Sequence, residues 1–269
     1  MNHPLAQSSD PIIQIQDLNL SFGSTVILQQ VNFNLYQEQV LALIGPNGAG
    51  KSSLLQVMSG YIKANSGRVL YQGQNVCGLK PYQLMRLGWG RGFQTSSLMA
   101  NLSLKEHLMA AFVAASNKPY WFWQSTQENI SMQEKVRAIL LQQDWLAIQD
   151  LQASQLSYAN QRALDLILIT IAQPSVLLLD EPTAGLSQSE TRIWQEKFQA
   201  LKKNKTVLLV EHDMELVFSV ADQIAVLDQG QIIAVGTADQ IKANKAVQQA
   251  YLGALEPGLT AACETSLKA

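Results

Sequence analysis

Three groups of residues in this chain have types and spacings suited to phosphate chemistry. The first is Gly45-Pro46-Asn47-Gly48-Ala49-Gly50-Lys51-Ser52, which fits G-x-x-x-x-G-K-[ST] between an apolar run and a helix-compatible stretch beginning Ser52-Ser53-Leu54. Its glycines let backbone N–H groups turn toward the β- and γ-phosphates of a nucleotide, and a helix N-terminus behind them adds partial positive charge. Lys51 would neutralise phosphate charge, and the Ser52 hydroxyl would coordinate Mg²⁺. The second group, Asp180-Glu181, ends the run Val176-Leu177-Leu178-Leu179. There Asp180 is placed to hold Mg²⁺ and Glu181 to orient and polarise an attacking water. The third, Glu211-His212-Asp213, follows Thr206-Val207-Leu208-Leu209-Val210 and contains one of only three histidines. His212 falls where the C-terminal end of a parallel strand would face the γ-phosphate. Each group alone has a plainer reading: a chance glycine-rich turn, solvated acids at a strand end, a structural histidine. Their order along one chain favours the chemical reading.

The elements that must position these groups show two kinds of strand signal. Ile12-Ile13-Gln14-Ile15-Gln16-Asp17-Leu18-Asn19-Leu20 and Val31-Asn32-Phe33-Asn34-Leu35 alternate apolar and polar residues around Gly23-Ser24, which predicts half-buried antiparallel strands. Val40-Leu41-Ala42-Leu43-Ile44 and the runs before Asp180 and Glu211 are continuously apolar, as strands of a parallel sheet covered on both faces must be. Residues 225–234 read as a hairpin turning at Gln229-Gly230, and residues 104–152 carry helical apolar spacing. The expected fold is α/β, a parallel sheet core with a small antiparallel β subdomain and an inserted α-helical subdomain.

Composition narrows the function classes. A net charge of −2 argues against a nucleic-acid partner, which calls for a basic stripe. The only cysteines, Cys77 and Cys263, are too few and too far apart for a disulfide framework, so reduced thiols in a cytosol are expected. The strongest apolar candidate for a span, residues 164–172, is broken by Asp165 and falls short of the ~20 residues a bilayer needs. The opening residues lack a basic region followed by an apolar one, so no signal peptide is expected. Any link to a membrane is expected to run through a partner.

Taken together, the motifs resemble the ATP-binding cassette (ABC) subunits of transporters, over roughly residues 12–253. The resemblance implies a P-loop NTPase fold, with polar tails at residues 1–10 and 255–269, an ATPase domain at 11–254 and its helical subdomain at about 95–160. It implies that residues 45–53, from Gly45 to Ser53, hold ATP and that Phe22 stacks on adenine, although Phe22 alone reads as packing. Gln94, in Arg91-Gly92-Phe93-Gln94, matches the glutamine that touches Mg²⁺ and the water and couples to the membrane subunit. Glu181, His212 and Gln94 are thus the implied catalytic set, and Ser52, Gln94 and Asp180 the implied metal set. Ala184-Gly185-Leu186-Ser187 matches the D-loop, with Ser187 where many relatives carry Asp.

Leu156-Ser157-Tyr158-Ala159-Asn160 lines up with the Leu-Ser-Gly-Gly-Gln signature, matching directly at its first two positions. In this family the signature offers a Ser hydroxyl and backbone N–H groups to the nucleotide of the other subunit in a head-to-tail dimer. Ser157 and the Ala159 N–H keep that chemistry. The added methyl of Ala159 crowds the phosphate if the backbone must approach closely or adopt φ > 0. An intact phosphate loop beside an altered signature implies a heterodimer with a second ABC ATPase subunit, or at least two unequal sites.

Tyrosine in the signature, the stretch from Val207 to Phe218 and Ala250-Tyr251-Leu252-Gly253 are similar to uptake subunits for branched-chain amino acids and urea. The implied partners are permease subunits and, indirectly, a periplasmic or lipoprotein substrate-binding protein. The implied place is peripheral, on the cytoplasmic face of the inner or plasma membrane. Rival readings are a nucleotide sensor paired with an active partner, a soluble translation or repair ATPase, and another ABC pathway such as lipopolysaccharide export. In the helical segment, Ser103 with Glu106 reads as an N-cap and His107 as a packing or surface residue. Tyr120-Trp121-Phe122-Trp123 either touches a membrane partner or packs between helices.

Overall fold

Three apolar runs, each buried along its full length, form the heart of a six-stranded sheet: β3 (Val40–Ile44), β7 (Val176–Asp180) and β8 (Thr206–Val210). The computed structural model describes residues 10–92, 98–116 and 126–252. With β6 (Trp89–Arg91), β9 (Gln223–Asp228) and β10 (Gln231–Gly236), the strand order is β10-β9-β3-β8-β7-β6. All neighbours from β9 to β6 are parallel, and only β10 runs back, antiparallel to β9. The reversal uses Gln229 and Gly230, both at positive φ, as a two-residue hairpin turn requires.

Register matters more for the site than strand order does. Leu43 pairs with Val210, and Val210 in turn pairs with Asp180. The C-terminal ends of β3, β8 and β7 are therefore level, and the segments after Ile44, Val210 and Asp180 leave the sheet along one edge. That edge is where open α/β sheets place their ligands.

The alternating segments form a second, antiparallel sheet, in which β1 (Ile13–Phe22) lies between β2 (Thr25–Leu35) and β4 (Ser66–Tyr71), with β5 (Gln74–Asn75) outside β4. Ile13 and Ile15 of β1 face the core, and an irregularity at Asp17, φ 46°, shifts the alternation so that Leu18 and Leu20 face it too.

Helices cover both faces of the main sheet. On one face α1 (Lys51–Met58) brings Leu54 and Leu55 against Leu41, Leu43, Leu208 and Val210. On the other, α6 (Gln188–Leu201) and α7 (Met214–Val220) bring Trp194, Phe198 and Leu216 against Leu177, Leu179 and Leu209. Trp194 and Phe198, one turn apart on α6, stack with centroids 4.9 Å apart.

Between β6 and β7 the chain builds α3 (Leu104–Ala115), α4 (Thr126–Gln142) and α5 (Tyr158–Ile171), which share a core of Leu104, Leu108, Val136, Leu140, Trp145 and Leu164. Ser103 caps α3, and Glu106 closes the reciprocal bond to the Ser103 N–H at 2.7 Å. His107 is buried: Nε2 accepts from Met99 N–H at 2.9 Å and Nδ1 lies 2.8 Å from the Ser103 carbonyl. Of the two readings, surface or packing, the structure shows packing. Phe93-Gln94 and the aromatic run 120–123 lie outside the described residues. Among the described residues no helix is long and apolar enough to cross a membrane.

Candidate nucleotide site

The loop between β3 and α1 is held by backbone contacts that only glycine permits. A Cβ on Gly45 would sit 2.0 Å from the Leu227 carbonyl oxygen, so β3 can pass β9 at this point only without a side chain. Gly50 caps α1 in the left-handed region, at φ 104°, and its added Cβ would lie 2.9 Å from the Ile27 carbonyl. The hairpin turn braces the loop from outside, since Gly230 N–H donates to Ala49 at 3.1 Å and Gln29 N–H donates to Gly230 at 2.9 Å. Lys51 folds back over this loop and donates to the carbonyls of Gly45 at 2.8 Å and Pro46 at 3.0 Å. Ser52 and Ser53 follow, half-buried in the first turn of α1. Burial pushes the Lys51 pKa down, while the carboxylates of Glu181 and Asp180 pull it back up.

The acids sit at the adjacent strand ends. Asp180 is 4% exposed, and its Oδ1 is buried with no hydrogen-bond partner in the protein. A buried carboxylate oxygen without a partner, on the strand end beside the phosphate loop, fits a donor or cation. Burial pushes its pKa up, opposed by the Arg91 guanidinium and Lys51 and reinforced by Glu181 and Glu211. The folded protein therefore holds this proton more tightly than the unfolded chain does. Stability is lost as pH climbs through the raised pKa, and above it the ionised carboxylate is a standing cost. Asp180→Asn is expected to raise the nucleotide-free melting temperature at neutral pH and to shrink the further rise on adding MgATP. Thermal unfolding with and without MgATP measures both; a lower nucleotide-free melting point in the variant would count against this account.

Glu181 sits at φ 45°, an uncommon backbone state for a side chain of this size. It is held there because Glu181 N–H donates to Val210 at 2.9 Å and its carbonyl accepts from Ala184 N–H at 3.1 Å. Its Oε1 lies 4.0 Å from His212 Nδ1, and the His212 side chain is 63% exposed on the same edge. Glu211 anchors the two segments and is 1% exposed. Its Oε1 accepts from Thr183 N–H at 3.1 Å and Thr183 Oγ1 at 2.7 Å, and its Oε2 accepts from His212 N–H at 3.2 Å. That brace was missed in the sequence, although an acid directly after a fully apolar strand is a usable signal. Asp213 caps α7, accepting from Glu215 N–H and Leu216 N–H.

The structure thus brings residues 45–53, Asp180, Glu181 and His212 to one edge of the sheet. Gln94 falls outside the described residues. Phe22, at the end of β1, is 52% exposed, which removes the core reading and leaves half-buried packing or a bound partner. Ser157 caps α5, its hydroxyl accepting from Asn160 N–H at 3.3 Å. None of Tyr158, Ala159 and Asn160 has positive φ, so the methyl of Ala159 carries no backbone strain here. The Asn160 side chain turns inward, its Oδ1 accepting from Trp145 Nε1 at 3.1 Å. In the D-loop segment, Ser187 caps α6 and Glu190 bonds back to it at 2.8 Å. Among the described residues no cluster of His, Cys, Asp and Glu forms a metal cage by itself.

Comparison with known proteins agrees with this geometry. Residues 28–184 match the family model described as ABC transporter, and residues 231–256 match one described as branched-chain amino acid ATP-binding cassette transporter. The high-affinity branched-chain amino acid transport ATP-binding protein LivG of Escherichia coli K12 is 34% identical over 255 residues, covering 91% of this chain and 99% of that protein. BraF of Pseudomonas aeruginosa, named for the same transport, is 34% identical with the same coverage. A crystal structure of a nucleotide-free ATP-binding cassette from an ABC transporter superposes with a TM-score of 0.78 at 26% identity, covering 90% of this chain and 99% of that one. The ADP conformation of such a cassette gives 0.77 at 25% identity, covering 91% and 100%.

Proposed function

Because this chain belongs to the ABC transporter ATP-binding family, we propose that it powers an importer for branched-chain amino acids or a related small nitrogen compound such as urea. The observation that carries the reading is the level edge, where the phosphate loop, the orphaned Asp180 oxygen, Glu181 and His212 converge. The relatives named for branched-chain amino acid transport, and the match over residues 231–256, support the substrate class.

In this reading residues 45–53 cradle the ATP phosphates, Lys51 neutralises them, and Phe22 stacks on the adenine. Glu181 takes a proton from water as its oxygen attacks the γ-phosphorus. The bond to the β–γ bridging oxygen breaks, leaving ADP and phosphate. His212 faces the γ-phosphate and holds Glu181 in line. Ser52, Asp180 and Gln94 are the residues that would hold Mg²⁺, which when bound supplies charge neutralisation at the β- and γ-phosphates.

ABC ATPase subunits work with transmembrane permease components. A groove of about 960 Å³ between α2 (Pro81–Arg86) and α3 is lined by Tyr61, Tyr82, Met85 and Ala111 and backed by Arg91. Tyr61, Tyr82 and Met85 are each more than half exposed, and this surface is the place proposed for a permease element on the cytoplasmic face. The substrate-binding protein acts on the far side of that permease.

The second cassette is proposed to be a different chain, since this chain's signature, residues 156–160, departs from the family pattern. A purified mixture with that cassette is expected to hydrolyse ATP mainly at the site built on this chain's phosphate loop. Two equivalent, fully active sites in this chain alone would sink the heterodimer.

A further inference from the structure

Tyr158, at the third signature position, bonds to a segment that the signature motif itself does not include. Its hydroxyl accepts from Arg162 Nε at 2.9 Å and Nη2 at 2.6 Å, and donates its one proton to the Ala184 carbonyl at 2.9 Å. Arg162 is 6% exposed, and its guanidinium carbon lies 5.0 Å from the Tyr158 ring centroid. Two N–H groups of the one charged guanidinium on the phenolic oxygen polarise the O–H and strengthen its bond to the carbonyl. The ring also lies against Gly185, where an added Cβ would meet Tyr158 Cε1 at 3.1 Å.

Ala184 is tied at its other end to the catalytic turn, because its N–H donates to the Glu181 carbonyl at 3.1 Å. A continuous path therefore runs from α5 through Arg162, Tyr158 and Ala184 to Glu181. Glu181 holds an uncommon backbone state, φ 45°, which persists only when its surroundings over-determine it.

We infer that Tyr158 is a positioning residue, coupling the signature helix to the turn that carries Glu181 within one chain. The inference rests on the role proposed above for Glu181. Whatever seats or releases the N-terminus of α5 at the second cassette's nucleotide then shifts the alignment of this chain's own Glu181. The altered signature, on this view, serves the cis site as well as the trans one.

Tyr158→Phe keeps the ring on Gly185 and removes only the hydroxyl link. In the assembled two-cassette complex kcat is expected to fall about 10-fold, in the range for small misplacements of a reacting group, with the KM for ATP unchanged within about twofold. In the isolated nucleotide-free chain, the amides of Ala184 and Leu186 are expected to exchange with solvent faster than in the wild type. An unchanged kcat overturns the inference, and so does a fall in kcat with unchanged exchange at both amides. A rise in KM matching the fall in kcat/KM would also overturn it, by placing Tyr158 in nucleotide binding. A wild-type complex that hydrolyses no ATP sinks the functional reading instead, while the exchange comparison still decides whether Tyr158 holds the turn.

Discussion

Replacing Glu181 with glutamine is expected to slow ATP hydrolysis by about 10²–10⁴-fold, the usual contribution of a positioned general base, while ATP binding persists. Glutamine has nearly the same shape, so the turn at φ 45° and the bonds through Val210 and Ala184 remain. What it lacks is the ability to take a proton from water. Removing a negative charge near Lys51 and Asp180 also lowers the repulsion that an anionic nucleotide meets, so affinity is expected to hold or rise. Phosphate release in the steady state measures the first effect, and titration with a fluorescent nucleotide the second. Turnover within tenfold of the wild type would remove Glu181 from the role of base.

The second large effect is expected at Lys51 and falls on the opposite quantity. Lys51→Ala removes the cation whose ammonium now bonds the Gly45 and Pro46 carbonyls across the loop. With ATP bound the same ammonium is expected to donate to phosphate oxygens instead; a charge-assisted hydrogen bond contributes about 1.5–3 kcal/mol, so losing even one lowers ATP affinity by about 10–10²-fold. Lys51→Arg is not expected to rescue it, because the planar guanidinium does not fit where a compact ammonium lies between two carbonyls. Nucleotide titration of both variants checks this; an affinity for ATP within fivefold of wild type in Lys51→Ala would contradict it. The pair of substitutions separates binding from chemistry on one edge of the sheet.

Much of this edge was legible in the sequence for a physical reason. Strands buried on both faces must be apolar throughout, so β3, β7 and β8 announce themselves, and the polar residues directly after such runs are forced to the sheet edge. Asp180 and His212 were found that way, and Gly45 to Ser52 by its glycine and lysine spacing after such a run. Short elements were not. β6 is three residues long and β5 only two, which leaves no period to detect.

Other features depend on partners distant in the chain. The burial of Glu211 follows from Thr183 on another strand's loop. The Tyr158 hydroxyl is explained by Ala184, and the Asn160 carboxamide by Trp145. Spacing within a motif carries no information about such bonds, so the signature read as merely altered where the structure shows it anchored. Phe22 illustrates the converse. An aromatic residue at the end of an alternating strand suggests core or half-buried packing, and only the placement of β1 leaves it about half exposed.

The most direct test of the central claim is ATP-driven uptake of labelled leucine into proteoliposomes containing the permease, both cassettes and the substrate-binding protein. Accumulation is predicted with the wild-type chain and none with Lys51→Ala in this chain alone. Full accumulation with the Lys51→Ala chain, or no ATP-dependent accumulation of any branched-chain amino acid or of urea with the wild type, would contradict the account.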